Sequence, residues 1–117
     1  MHELSIALNL IDGVIELAAG HPGTVRAVHI RLGARSGVVA EALESAFVIA
    51  RHGTCLEHAE LKVEKVPARG RCGECHTEYL LLSDAWVVCA VCGSPVCEVV
   101  GGRELEITAL EMEDSHE

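Results

Sequence analysis

The sequence predicts an α+β fold in which a small three-stranded sheet is covered by two helices and carries an inserted zinc-ribbon-like β module. Three observations lead to this fold class. Apolar residues recur at helical spacing in two segments, and they alternate with polar residues in three others. Two Cys-x-x-Cys pairs lie between the last two alternating segments. The predicted order is therefore helix, strand, helix, strand, zinc module, strand.

Residues 4–19 and 39–51 are the predicted helices. In the first, apolar residues recur every three or four positions, and Gly20-His21-Pro22-Gly23 ends the pattern. In the second, apolar residues from Leu43 to Ala50 share one face, and Gly53 is typical of a helix stop. Each helix therefore has one apolar face to bury against a sheet or another helix.

Residues 25–32, 59–66 and 103–112 alternate apolar with polar side chains and are the predicted strands. The first of them shows the pattern clearly, since Val28 and Ile30 alternate with His29. A strand with this alternation buries one face and leaves the other in water.

Changes of composition divide the chain into predicted domains. Residues 1–67, completed by the C-terminal strand within residues 102–113, form an α/β domain. Residues 68–101 form a zinc-binding module, and residues 114–117 form a polar tail.

Composition narrows the class of protein. The 9 basic and 18 acidic residues give a net charge of −9, which would repel a nucleic-acid backbone.

Neither a secretory signal nor an apolar run of about 18 residues is evident, so we expect a cytoplasmic protein without a membrane span. In a reducing cytosol, 6 cysteines in a short chain indicate metal ligands before disulfides. The GxSxG, HExxH and P-loop motifs are missing, so we expect a binding protein and not an enzyme.

Cys72, Cys75, Cys89 and Cys92 form two Cys-x-x-Cys knuckles that 13 residues separate. Each knuckle is a tight turn that aims two sulfurs at one point, and Zn²⁺ prefers four such ligands in a tetrahedron at about 2.3 Å. Since sulfur would fill every position, we expect one structural zinc per chain and no zinc catalysis. Residues 79–82 can return between the knuckles as a hairpin strand.

Other interpretations of the cysteines stay open at this point. Two disulfides or two redox pairs would use the same residues, and Cys72 to His76 also matches the Cys-x-x-Cys-His pattern of haem attachment. Cys97 can be a small buried residue, a spare ligand or an oxidisable thiol. Cys55, close to His58, is expected to be structural.

Met1, His2 and Glu3 form a second candidate metal site. A free terminal amine, the next amide nitrogen and the His2 Nδ1 atom can chelate one ion together. A deprotonated amide nitrogen favours square-planar Ni²⁺ or Cu²⁺ over tetrahedral Zn²⁺. Glu3 can orient the imidazole from a neighbouring position. Taken alone, the same three residues also fit a solvated chain terminus.

Several short motifs accompany these two candidate sites. They are Met1-His2-Glu3-Leu4-Ser5, Leu32-Gly33-Ala34-Arg35-Ser36-Gly37-Val38, Gly53-Thr54, Val66-Pro67-Ala68-Arg69, Cys92-Gly93-Ser94 and Gly102-Arg103-Glu104-Leu105. With them, the sequence resembles the HypA/HybF family of hydrogenase nickel-incorporation proteins over essentially the whole chain. The combination of a Met-His-Glu start with paired knuckles is specific, whereas each part alone is not.

The resemblance implies a nickel metallochaperone. Transient Ni²⁺ would be held by His2 and the backbone nitrogens of Met1, His2 and Glu3, which makes residues 1–67 the nickel-binding domain. The implied partners are the GTPase HypB and the large subunit of [NiFe] hydrogenase, and both a monomer and a homodimer fit the sequence. Maturation of another nickel enzyme such as urease is one alternative, and a purely structural zinc-ribbon adaptor is another. No nucleic-acid or membrane partner is expected.

Overall fold

The structure, a computed structural model, describes residues 2–81, 88–95 and 97–113. Its elements, in chain order, are α1 (His2–Ala18), β1 (Thr24–Gly33), α2 (Ala40–Ala50), β2 (Glu60–Val66), β3 (Ala68–Cys72), β4 (Glu78–Leu81), β5 (Cys97–Gly101) and β6 (Leu105–Glu113). The strands form two three-stranded sheets, with the orders β2-β1-β6 and β4-β3-β5. The predicted fold class is confirmed, while the predicted tail, residues 114–117, lies outside the described residues.

The described residues pack as two compact units. The first, called the helix unit below, contains the chain up to Arg31, Val38–Glu64 and the chain from Glu106 onward. The second, called the knuckle unit, contains Leu32–Gly37 and Lys65–Leu105. No helix in the part of the chain that the structure describes is long and apolar enough to cross a membrane.

The core of the helix unit is aliphatic, with one aromatic residue at its centre. Phe47, Ile30 and Leu43 are its largest fully buried side chains, and the two helices pack against each other. In α1 the buried residues are Ala7, Leu10, Ile11 and Val14. This core fixes α1 in place, and the first turn of α1 carries the predicted nickel residues.

Glu111 lies in a charged cluster on the sheet of the helix unit. Its Oε2 atom is 2.6 Å from Nε2 of His29 on β1 and 3.6 Å from Nζ of Lys62 on β2. The hydrogen bond from His29 and the charge of Lys62 hold the pKa of Glu111 below its ordinary value. The carboxylate therefore stabilises the fold at neutral pH, and that contribution is lost as the pH falls through its lowered pKa.

Replacing Glu111 with glutamine should give a small loss of thermal stability at pH 7, because exposed ion pairs contribute little. The difference from the parent protein should shrink as the pH is lowered below about 4, where the parent carboxylate is protonated as well. Thermal unfolding of both proteins across this range measures the effect, and Glu113→Gln, at the end of the same strand, is the control. An equal stability difference at pH 7 and pH 3 would contradict the prediction.

The sheet of the knuckle unit has β3 at its centre, antiparallel to both neighbours. Gly70 of β3 is opposite Tyr79 of β4, and Cys72 is opposite Cys97 of β5. The sequence predicts β4 as a hairpin return, although Leu82 of that prediction lies outside the described residues. It does not predict β3 or β5, each of which is only five residues long.

Backbone segments of the knuckle unit cross at very short range around Gly33 and Gly102. The Gly33 N–H donates to the Glu104 carbonyl at 2.7 Å, and the Ala34 N–H donates to the Val66 carbonyl at 2.8 Å. Gly102 has a φ of +105°, a conformation that suits glycine and few other residues. This glycine crossing orders the loop after β1 and the segment that precedes β6.

Candidate metal centres

The two knuckles repeat one backbone structure. In the first, the Cys72 N–H donates to the Thr77 carbonyl at 2.9 Å, and in the second the Cys89 N–H donates to the Ser94 carbonyl at 2.9 Å. The residue after each second cysteine has positive φ, +66° at His76 and +77° at Gly93. The repetition explains how two distant segments each present a pair of sulfurs in the same way.

The four knuckle sulfurs converge on one point. The ligand atoms of Cys72, Cys75, Cys89 and Cys92 all lie within 4.8 Å of one another, and this is the one such cluster among the described residues. The Sγ atoms of Cys72 and Cys92 are 3.5 Å apart, and those of Cys75 and Cys89 are 3.6 Å apart. A regular tetrahedron with bonds of about 2.3 Å has edges of about 3.8 Å. The sulfurs therefore fit one Zn²⁺. The two short Sγ–Sγ distances match the edges of such a tetrahedron.

Backbone amides and the Thr77 hydroxyl favour the thiolate form of the knuckle cysteines. The N–H groups of Glu74 and Cys75 lie 3.4 and 3.5 Å from Cys72 Sγ, to which they donate. The Val91 N–H occupies the matching position at Cys89, at 3.4 Å. Hydrogen bonds from the Thr77 hydroxyl and backbone lower the pKa of Cys75 to about 6. These donors replace part of the hydration that the sulfurs lose in the fold.

Crowding of the sulfurs acts in the opposite direction. The Ser94 backbone lowers the pKa of Cys92, but burial and the sulfurs of Cys72, Cys75 and Cys89 raise it on balance to about 12. Four thiolates at this spacing repel one another unless a cation lies between them. The donor set, all soft sulfur, is the one that Zn²⁺ prefers in closed structural sites.

The competing interpretations of the cysteines do not fit this geometry. The sulfur distances are far longer than the roughly 2 Å of a disulfide, and the described cysteines are all free. His76 is exposed at the left-handed position of its turn, where Gly93 is its counterpart. His76 is thus explained by its position in the turn of the knuckle, and haem attachment is not needed to explain it.

Two further cysteines lie outside the tetrahedron. Cys97 is half-buried on β5, and Cys55 is exposed beside the helix unit's Thr54 and His58. The contribution of Thr77 and Ser94 is absent from the sequence prediction. For the Thr77 hydroxyl the signal is present in the sequence, since a hydroxyl residue stands two positions after Cys75. Ser94 acts through its backbone, which leaves no such signal.

The predicted nickel residues lie at the start of α1, which begins at His2. The His2 side chain is 65% exposed, and its Nε2 atom lies 3.9 Å from Oε2 of Glu3, whose side chain is only 16% exposed. Hydrogen bonding to its own backbone, the charge of His2 and the Val39 backbone hold the pKa of Glu3 below its ordinary value. Met1 lies outside the described residues.

Comparisons with known proteins identify the family of this chain. A family model described as "Hydrogenase/urease nickel incorporation, metallochaperone, hypA" matches residues 1–112. The hydrogenase maturation factor HypA of Chloroflexus aggregans is 46% identical over 113 residues, which cover 95% of this chain and 98% of that protein. The corresponding factor of a Roseiflexus species is 44% identical over 116 residues, covering 97% of this chain and 94% of that protein.

Solved structures show the same fold. The solution structure of the Ni metallochaperone HypA from Helicobacter pylori matches with a TM-score of 0.68 and 25% identity, and the match covers 98% of this chain and 100% of that chain. Sequence and structure thus agree along nearly the full length. The chain belongs to the HypA family of hydrogenase/urease nickel-incorporation metallochaperones.

Proposed function

We propose that this chain binds Ni²⁺ through His2 and the backbone nitrogens of Met1, His2 and Glu3, and delivers it to the large subunit of [NiFe] hydrogenase. Family membership supports nickel as the metal and nickel incorporation as the function. The relatives named above are hydrogenase maturation factors, which favours hydrogenase over urease as the recipient. We further propose that the protein acts in the cytosol with the GTPase HypB and has no catalytic activity of its own.

The observation that carries the proposal is the position of His2 at the first residue of α1. The N–H groups in the first turn of a helix have no helical acceptor. A metal ion can therefore replace the proton of such an amide without breaking a helical hydrogen bond. An amide further along the helix would lose its hydrogen bond in the same reaction.

Glu3 is suited to hold this site together. Its carboxylate lies near Nε2 of His2, which leaves Nδ1 free to close a chelate ring with the His2 amide nitrogen. Because its pKa is lowered, Glu3 keeps its negative charge under mildly acidic conditions. That charge offsets the positive end of the helix dipole, which disfavours a cation at this place.

Exposure of His2 suits a site that must release its metal. An imidazole in water can exchange ligands with a partner protein, whereas the knuckle sulfurs form a closed set of four with Cys72 and Cys89 buried. We therefore assign transient nickel to the first turn of α1 and permanent zinc to the knuckle unit.

Replacing His2 with alanine should lower the affinity for nickel by more than about tenfold, because the variant lacks the imidazole that closes the second chelate ring. The experiment is a competition titration with a chromogenic nickel chelator, using protein whose first residue is Met1. A matched control is His21→Ala, which removes an exposed histidine just after the same helix. Zinc content should stay at about one ion per chain in all three proteins.

Two results separate this proposal from its alternatives. Equal nickel affinity of the parent and His2→Ala proteins would overturn the assignment of the site. A protein that binds zinc but no nickel would instead be a structural adaptor. Adding one glycine before Met1 should also abolish tight binding, because it moves the terminal amine out of the chelate.

A further inference from the structure

Cys97 lies directly opposite a zinc ligand. In the register of β3 and β5, the partner of Cys97 is Cys72. Opposed residues of antiparallel strands have Cα atoms about 4.5–5.5 Å apart and side chains on the same face. A disulfide needs Cα atoms about 4.4–6.8 Å apart, so this pair satisfies the backbone requirement.

The surroundings of Cys97 keep its sulfur on that face. A Cβ atom on Gly70 would lie 2.8 Å from Cys97 Sγ and 3.1 Å from the Tyr79 ring, so the two side chains meet in the space that a larger residue would occupy. Tyr79 also makes a side-chain hydrogen bond with Cys97. The thiol is therefore next to the zinc ligands without being one of them.

The two sulfurs differ in access to solvent. Cys72 is completely buried, whereas Cys97 is half-buried. Within this pair, a small reagent can therefore reach Cys97 before Cys72, and Cys72 can then react with the modified Cys97 inside the protein.

From this geometry, we propose that Cys97 and Cys72 are a redox pair, in which oxidation by a small-molecule disulfide joins them across β3 and β5 and releases zinc. The inference rests on the zinc centre and is independent of the nickel site.

The reaction balances in two steps. Cys97 loses its proton and attacks a disulfide RSSR, which gives a Cys97–S–SR bond and one RSH. The Cys72 thiolate, which carries no proton while it binds zinc, then attacks the Cys97 sulfur, and RS⁻ leaves and takes a proton from water. Two electrons pass from the protein sulfurs to RSSR. Zn²⁺ loses one of four ligands, so the remaining three hold it less tightly.

The test uses zinc-loaded full-length protein and hydroxyethyl disulfide, a neutral reagent that the acidic protein does not repel. Zinc release is followed with a chromogenic chelator, and peptide mapping identifies the disulfide. We expect Cys72 linked to Cys97 in the parent protein, and zinc release at least about tenfold slower in Cys97→Val. Dithiothreitol and added zinc should restore the starting state, as expected for a disulfide.

Cys55→Val is the control, since it removes an exposed cysteine from the helix unit and should release zinc at the parental rate. Mapping of the parent protein needs no variant, so the test holds even if Cys97→Val folds poorly. Oxidation confined to Cys75, Cys89 and Cys92, or equal zinc release from the parent and Cys97→Val proteins, would overturn the proposal.

Discussion

Removing zinc, or replacing Cys72 with serine, should unfold the knuckle unit while α1 and α2 stay folded. The buried apolar side chains in the described part of this unit are few, namely Leu32, Val66, Ala68 and Leu81 beside the ligands Cys72 and Cys89. The larger ones contribute roughly 2 kcal/mol each. Ordering a residue costs about 1.5 kcal/mol, and the unit orders several dozen, so this core does not hold the unit together alone.

Zinc supplies the missing stability. Structural zinc binds with an apparent free energy on the order of 10 kcal/mol or more in small zinc-finger peptides, and that binding energy acts as folding energy. Cys72 is the most sensitive position for a substitution, because it is completely buried and ends the central strand β3. Serine there would replace a soft thiolate with a hydroxyl that binds zinc weakly and is left buried.

Amide hydrogen exchange before and after chelation measures the effect unit by unit. Protection should disappear from β3, β4 and β5 and persist in α1 and α2, whose core contains Phe47 and Leu43. Cys55→Ser, which leaves the four ligands intact, should keep full protection. Protected amides throughout β3 in zinc-free protein would show that the unit folds without its metal.

The elements of the helix unit could be predicted because their patterns are local. Val28 and Ile30 are buried at alternate positions of β1, and Leu43, Ala46 and Phe47 are buried on one face of α2. The buried face of α1 is harder to predict than the helix itself, because the apolar residues of α1 extend beyond the face that the core covers. Leu8 and Ile15 remain 47% and 41% exposed for that reason.

The clustering of the four knuckle cysteines could be predicted because Cys-x-x-Cys spacing already encodes the local turn. The strands β3 and β5 could not be predicted, because they depend on pairing between segments far apart in sequence. β3 is the central strand and pairs with both β4 and β5. The opposition of Cys72 and Cys97 depends on strand register, and register depends on contacts between segments far apart in sequence. The glycine crossing could not be predicted for the same reason, because Gly33 and Gly102 lie far apart in sequence.

Gly33→Ala should destabilise the protein by about 3 kcal/mol or more, through a clash that no side chain can relieve. A Cβ atom at position 33 would lie 2.1 Å from the Gly102 carbonyl oxygen and 2.6 Å from the Glu104 nitrogen. Both are backbone atoms, and Glu104 also accepts the Gly33 N–H. Separating the two segments to admit a methyl group would therefore break the hydrogen bonds of the glycine crossing as well.

The matched control is Gly13→Ala in the middle of α1. A Cβ atom there would meet Ile107 Cδ1 at 3.7 Å, an ordinary contact, and alanine favours a helix over glycine by about 1 kcal/mol. The same change of one methyl group should thus stabilise the chain at position 13 and destabilise it at position 33. Urea unfolding of the two zinc-loaded variants compares them directly. Similar midpoints for both would mean that the backbone around Gly33 and Gly102 yields far more easily than its packing indicates.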